Sequence, residues 1–68
     1  MLNTRKIKAR MKELGLTQAD VGDKLGLAPA TVSQKINGSR PMTVEEADKL
    51  AVILSISDQE YGAYFFAN

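Results

Sequence analysis

The sequence predicts an all-α fold made of five short helices. Apolar residues recur three or four positions apart, which is the spacing that places them on one face of a helix. Glycine, proline and the capping residues serine and threonine divide this pattern into five segments. No stretch alternates apolar and polar residues as a half-buried strand would. The 68 residues, without repeat or low-complexity segment, therefore predict a single compact domain over residues 1–68.

Glycines end the first two predicted helices. The first helix runs from position 3 or 4 to Leu14, and Gly15 follows it in the usual C-terminal role. The second starts at Thr17, and Asp20, three residues later, predicts a short version of the capping box. Gly26 ends this second helix.

The third predicted helix, Pro29–Asn37, is closed by Gly38 and has an unusual outer surface. Proline fits the first helical position because no N–H is needed there, whereas Ala28 before it is a poor N-cap. Val32 and Ile36 form its apolar stripe. The remaining side chains are mostly short and neutral, although exposed helices usually carry Glu, Lys and Arg. This surface is therefore a candidate binding face.

Two capping boxes begin the last two helices. Thr43 with Glu46 forms the pattern T-x-x-E, and Ser57 with Glu60 forms S-x-x-E. The fifth helix continues to Phe65.

Composition disfavours an enzyme. The chain has no Cys and no His, so it lacks the thiolate ligand and the imidazole base. Its acids are scattered and it has no Gly-rich phosphate loop, so we expect no metal, cofactor or small-molecule ligand. No apolar run approaches the length of a membrane span and no signal peptide is evident, which predicts a cytoplasmic protein with no membrane contact.

The charges are divided unevenly along the chain. Residues 1–40 contain eight basic and three acidic side chains, a net charge of +5, whereas residues 41–68 carry −4. This asymmetry indicates that the first part meets a polyanion. The alternative is a solvated, charged helix that happens to come first.

The second and third helices are joined by a tight link. Gly26, Leu27 and Ala28 make a three-residue turn, which forces two short helices to cross steeply, as in a helix-turn-helix. Gly22 lies in the middle of the second helix, where glycine costs roughly 0.5–1 kcal/mol relative to alanine. A close approach of the third helix would explain this small residue.

With these features, the stretch LTQADVGDKLGLAPATVSQKINGSRP resembles the Cro and phage-repressor family of XRE-type helix-turn-helix DNA-binding proteins, with the lambda-repressor-like fold. The order and spacing of these residues together are specific to the family. The five-helix layout extends the resemblance over nearly the whole chain. The residues that match are Thr17-Gln18-Ala19, Gly22, Gly26, Val32 and Asn37-Gly38.

The resemblance implies that the third helix is the recognition helix and enters the major groove with its N-terminus first. The side chains it would turn toward the bases are Ala30, Thr31, Ser33 and Gln34. A glutamine amide such as that of Gln34 can pair with N6 and N7 of adenine, and the Ala30 methyl could meet a thymine methyl.

The resemblance also implies a set of phosphate contacts. Gln18 lies in the first turn of the second helix, where its amide and the exposed backbone N–H groups could hold a phosphate. The complete set of predicted phosphate-binding residues is Gln18, Lys35, Asn37, Ser39, Arg40 and Arg10.

Two positions depart from the family pattern. Many relatives pair an Arg of the first helix with a Glu just before the Asn-Gly, but Met11 and Ile36 stand at these positions here. We expect an apolar contact in place of the ion pair, which avoids its desolvation cost. Lys35 occupies a position that is usually aliphatic in relatives, and we expect it to reach a phosphate.

All four aromatic residues lie in one short C-terminal window. The face that Tyr61 and Phe65 share is expected to pack on the core, whereas Phe66 points elsewhere. A small domain has little core left for a fourth ring, so the surplus suggests a homodimer. The candidate dimer interface consists of Tyr64, Phe65 and Phe66.

Together these features predict a transcriptional regulator that binds a palindromic double-stranded DNA operator as a homodimer. A Cro-like repressor of a phage or prophage is the leading hypothesis. The alternative is a protein-interaction module, such as the antitoxin of a toxin pair, that uses the aromatic helix to hold another protein.

Overall fold

The computed structural model describes residues 2–66, and this part of the chain contains five α-helices and no strand. The all-α prediction is therefore confirmed, and the observed helices lie within one or two residues of the predicted ones. Their bounds are α1 Thr4–Glu13, α2 Gln18–Leu25, α3 Pro29–Ile36, α4 Val44–Ile53 and α5 Asp58–Phe65.

Three of the helices begin with a complete capping box. The N-cap hydroxyls of Thr17, Thr43 and Ser57 each accept the backbone N–H three residues later, and the acid at that position accepts the N–H of the cap. This confirms the predicted boxes, including the short one closed by Asp20. At α3 the N-cap is Ala28 and no side chain caps the helix, as expected.

All five helices contribute side chains to one core. Six of these side chains are essentially inaccessible to water, which stabilises the fold by about 1.5–3 kcal/mol for each large aliphatic group. The buried residues are Ile7, Met11, Val21, Val32, Ile36, Ala47, Leu50, Ala51, Leu54, Tyr64 and Phe65.

The α1–α2 and α4–α5 corners have the same geometry. Each preceding helix ends in a left-handed residue, which is Gly15 at φ 69° in the first corner and Ser55 at φ 55° in the second. The Ile56 N–H then donates to the Ala51 carbonyl over 2.8 Å, and the equivalent bond in the first corner is also 2.8 Å long. Ser55 thus takes a conformation that favours glycine.

The first turn of α1 connects the far ends of two other helices. The Thr4 hydroxyl donates to the Ile36 carbonyl at the end of α3 over 2.6 Å. The Asn3 N–H donates to the Tyr64 carbonyl of α5 over 2.8 Å, and the Lys6 ammonium lies 5.0 Å from the centre of the Tyr64 ring. The ends of α3 and α5 are therefore both fixed to α1.

Within residues 2–66, every helix is too short or too polar to cross a membrane.

Candidate nucleic-acid interface

The turn between α2 and α3 packs directly on Gly22. A Cβ atom added to this glycine would collide with the Leu27 carbonyl oxygen and would lie 3.4 Å from Cγ2 of Val32. The Leu27 N–H donates to the Gly22 carbonyl over 2.9 Å, and Gly26 completes the turn at φ 73°. The predicted close approach is confirmed, and its tightest contact is the turn backbone rather than α3 itself.

This close contact at Gly22, called here the seat of α3, turns the polar face of α3 outward. The apolar stripe of α3 is buried, whereas Ala30 and Gln34, one helical turn apart, are exposed. The other two predicted base-reading residues, Thr31 and Ser33, are half-buried at the edges of this face. The Gln34 side chain makes no hydrogen bond to any residue between 2 and 66, so both ends of its amide are available.

The N-terminus of α3 lies beside this face and lacks a side-chain cap. Pro29 has no N–H, and the N–H groups of Ala30 and Thr31 meet no acceptor among the described residues. The partial positive charge of a helix N-terminus is therefore left for an external acceptor. A DNA phosphate or base edge would satisfy these donors.

Gln18 is the first residue of α2 and is half-buried. The capping box uses the N–H groups of Thr17 and Asp20, which leaves those of Gln18 and Ala19 without an acceptor among residues 2–66. The Thr17 N–H, together with its hydroxyl, holds the pKa of the Asp20 carboxyl below its ordinary value. An ionised Asp20 carboxylate repels a phosphate, so the N–H groups of Gln18 and Ala19 are the donors of this turn that remain for one.

The loop after α3 folds back on the end of that helix. The N–H groups of Ser39 and Arg40 both donate to the Gln34 carbonyl, over 2.9 and 3.2 Å. Asn37 donates its side-chain amide to the Ser33 hydroxyl over 3.3 Å. Asn37, Ser39 and Arg40 are all exposed, and Arg40 forms no ion pair within the described chain. These three predicted phosphate ligands therefore border the α3 face.

Lys35 is engaged inside the protein, which corrects its assignment as a phosphate ligand. Its ammonium lies 2.6 Å from both carboxylate oxygens of Glu46, and the two side chains are only 14% and 18% exposed. The Lys35 ammonium and the Thr43 N–H lower the pKa of Glu46. Lys35 thus ties α3 to α4. Sequence spacing offers no signal for this pair, since its partners are separated by a loop.

Arg10, another predicted phosphate ligand, has contacts inside the protein. Its Nε donates to the Leu54 carbonyl at the end of α4 over 2.8 Å, and Nη1 lies 3.6 Å from a Glu13 carboxylate oxygen. Arg10 therefore satisfies a helix-end carbonyl and fixes α1 to α4. Met11 and Ile36, which replace the ion pair of many relatives, are both buried in the core.

The aromatic residues of α5 divide into buried and exposed groups. Tyr64 and Phe65 are only 7% and 3% exposed, so they belong to the core and their assignment to a dimer interface is corrected. Phe66 is 67% exposed, and its ring lies 5.8 Å from that of Tyr61. Of the three predicted interface residues, only Phe66 presents its ring to solvent.

Comparison with known families supports this arrangement. The helix-turn-helix family model matches residues 7–61, which span α2, α3 and α4 completely and parts of α1 and α5. No solved structure matched the chain. Members of the matched family are DNA-binding transcriptional regulators. This match covers most of the chain and agrees with the close packing of α2 and α3. The chain therefore belongs to the XRE-type helix-turn-helix family of lambda-repressor- and Cro-like regulators.

Proposed function

We propose that this regulator is a sequence-specific, Cro-like repressor that binds a palindromic operator as a homodimer. The observation that carries the proposal is the uncharged, exposed face of α3, centred on Ala30 and Gln34, beside an uncapped helix N-terminus. The floor of the major groove offers neutral donors, acceptors and methyl groups, which such a face complements.

In the proposed complex α3 enters the major groove with its N-terminus first. The Gln34 amide pairs with an adenine, and the Ala30 methyl contacts a thymine methyl. Thr31 and Ser33 reach the edges of the same site. The phosphates are held on one side by Gln18 and the free N–H groups of α2, and on the other by the loop residues Asn37, Ser39 and Arg40.

The mechanism is occupancy of the operator, which blocks access of the polymerase. It requires no catalytic group, cofactor or small-molecule effector. A cytoplasmic regulator of phage or prophage origin fits this mode of action.

Phe66 is the residue we assign to the dimer contact. An exposed aromatic ring at the end of α5 can bury a large apolar area against its twofold mate. Two copies would then read half-sites spaced by about one turn of DNA.

Selection of bound duplexes from a random pool tests the operator. We expect a twofold-symmetric motif with half-sites about 10 base pairs apart. Light scattering of the Phe66→Ser variant tests the dimer, and we expect a monomer. A motif without symmetry would contradict the dimeric model, and a Phe66→Ser variant that keeps the mass of the wild type would contradict the assignment of the dimer contact to Phe66.

The role of Gln34 is tested by the Gln34→Ala variant on the selected operator. Loss of a bidentate base contact should weaken specific binding by roughly 5- to 150-fold and leave non-specific binding unchanged. Gln59→Ala is the matched control, because Gln59 is an exposed glutamine on α5. A uniform loss across all duplexes would instead assign Gln34 to the phosphates.

A further inference from the structure

A groove of about 330 Å³ lies between α4 and α5, apart from the α3 face. Its floor is apolar and its rim carries two carboxylates. The residues that line it are Asp48, Ala51, Val52, Ile56, Asp58 and Tyr61. None of them belongs to α2, α3 or the loop after α3, so the proposed operator contacts do not use it.

Hydrogen bonds join the two walls of the groove. The Tyr61 hydroxyl donates to a carboxylate oxygen of Asp48 over 2.9 Å, which joins α5 to α4. The Ile56 N–H bonds the Ala51 carbonyl and fixes the corner at one end. Val52 is nevertheless 79% exposed, an apolar side chain left in water beside other apolar groups.

The charge of the groove specifies what fits it. Both charged groups that line it, Asp48 and Asp58, are acidic, and residues 41–68 as a whole carry a net charge of −4. Arginine and lysine combine an aliphatic stem with a cationic head. The stem would cover Val52 and Ile56, and the head would lie between the two carboxylates, next to the Tyr61 ring.

We propose that the α4–α5 groove binds a basic side chain, Arg or Lys, within an apolar segment of a partner protein. A second copy of this chain fits less well. A twofold contact through the groove would bring Asp48 and Asp58 of both copies together, and like charges at an interface are unfavourable. The groove thus offers the DNA-bound regulator a separate contact with another protein.

A displayed library of random peptides, selected against the full chain, tests this site. We expect enriched peptides in which Arg or Lys is flanked by aliphatic or aromatic residues. A synthetic peptide of the enriched sequence should shift the backbone amide NMR signals of the groove residues and leave those of α3 in place.

Variants on α4 make the test specific. Val52→Lys places an ammonium in the groove and should abolish peptide binding, whereas Val44→Lys should not. Val44 is the matched control because it is 75% exposed on the same helix and does not line the groove. Asp48→Asn keeps an acceptor for the Tyr61 hydroxyl but removes the charge, and should weaken binding at least about tenfold.

Operator binding is measured on the same variants, so that failure of this proposal is distinguished from failure of the proposed repressor function. We expect Val52→Lys to keep its operator affinity, molecular mass and helical circular dichroism. Enrichment of acidic or uncharged peptides, no enrichment, or equal binding to Val52→Lys would overturn the proposal. A fall in the mass or the operator affinity of Val52→Lys would also overturn it, because the groove would then serve a second copy or the DNA.

Discussion

Helices α3 and α5 have the same length of eight residues but are held in place by different means. The α5 helix starts with the Ser57 capping box and buries two aromatic rings. The α3 helix has no side-chain cap and buries only Val32 and Ile36, both aliphatic. The residues of α3 therefore stabilise their own helix less than the residues of α5 stabilise theirs.

Contacts from three other helices compensate for this at α3. The α2 helix provides the seat at Gly22, α1 provides the Thr4 hydroxyl for the Ile36 carbonyl, and α4 provides Glu46 for Lys35. Helix α3 is therefore held in position mainly by contacts from its neighbours. Its N-terminus and its outer face are consequently left unoccupied, as the proposed contact with DNA bases requires.

The largest expected effect is at the aromatic anchor of α5. Phe65→Ala should lower the free energy of unfolding by about 3–5 kcal/mol, because the ring is buried and leaves a cavity. Phe66→Ala, at the exposed neighbour, should change it by less than about 0.5 kcal/mol in protein diluted to a monomer. Urea denaturation measures both. Equal losses would mean that α5 is not anchored by burial of Phe65.

The second effect compares two helical glycines. Gly22→Ala should destabilise by about 1–3 kcal/mol, because the methyl group collides with the Leu27 carbonyl at the seat of α3. Gly62→Ala in α5 should instead stabilise by about 0.5–1 kcal/mol, since its methyl group meets nothing within 4 Å and alanine favours helix. Thermal and urea unfolding should give opposite signs. Stability changes of the same sign for both variants would contradict a close backbone contact at Gly22.

The third effect concerns the N-caps of the two helices, one of which is removed and the other added. Ser57→Ala should cost α5 about 1 kcal/mol, and Ala28→Ser should add a similar amount of stability at α3. The added hydroxyl would also occupy a free N–H of α3, so we expect Ala28→Ser to bind operator DNA more weakly. Denaturation and gel-shift titration on the same samples measure this exchange. Gains in both stability and affinity would argue against a DNA role for these N–H groups.

The smallest effect concerns the ion pair that ties α3 to α4. The pKa of Glu46 is lowered from its ordinary value of 4.5, mainly by Lys35 and then by the Thr43 N–H. A carboxyl with a lowered folded pKa stabilises the fold above its unfolded pKa, and this contribution is lost as the pH falls through the folded value. For a partly exposed pair we expect up to about 1 kcal/mol.

Unfolding measured from neutral pH down to below 4 tests that assignment. Glu46→Gln should reduce the loss of stability on acidification, because the titrating group is gone. Glu45→Gln is the control, since Glu45 is an exposed neighbour on the same helix and has no ion-pair partner among residues 2–66. Identical pH profiles for wild type and Glu46→Gln would show that the Lys35–Glu46 pair does not stabilise the position of α3.

The sequence predicted the local features of this fold well. A capping box requires only two residues three positions apart, so Thr17, Thr43 and Ser57 could be assigned without knowledge of tertiary structure. Gly22 was informative because glycine destabilises a helix interior, so its position beside a three-residue turn indicates a close backbone approach. The exposure of Ala30 and Gln34 followed from the buried stripe on the other side of α3.

The long-range polar contacts could not be predicted in the same way. Lys35 meets Glu46, and Arg10 meets the Leu54 carbonyl 44 residues away, only because the helices pack at particular rotations. Side-chain spacing does not encode these rotations. The left-handed conformation of Ser55 has no sequence signal for a different reason, because a left-handed helix end is normally marked by glycine or asparagine.

The Leu27 carbonyl occupies the space that a side chain at position 22 would fill, so the close packing of α3 on α2 depends on a glycine at this position. A larger residue at position 22 would change the angle at which α3, the proposed recognition helix, packs on α2. A change of operator preference should be reached by grafting new side chains onto its outer positions, without rebuilding the backbone beneath them.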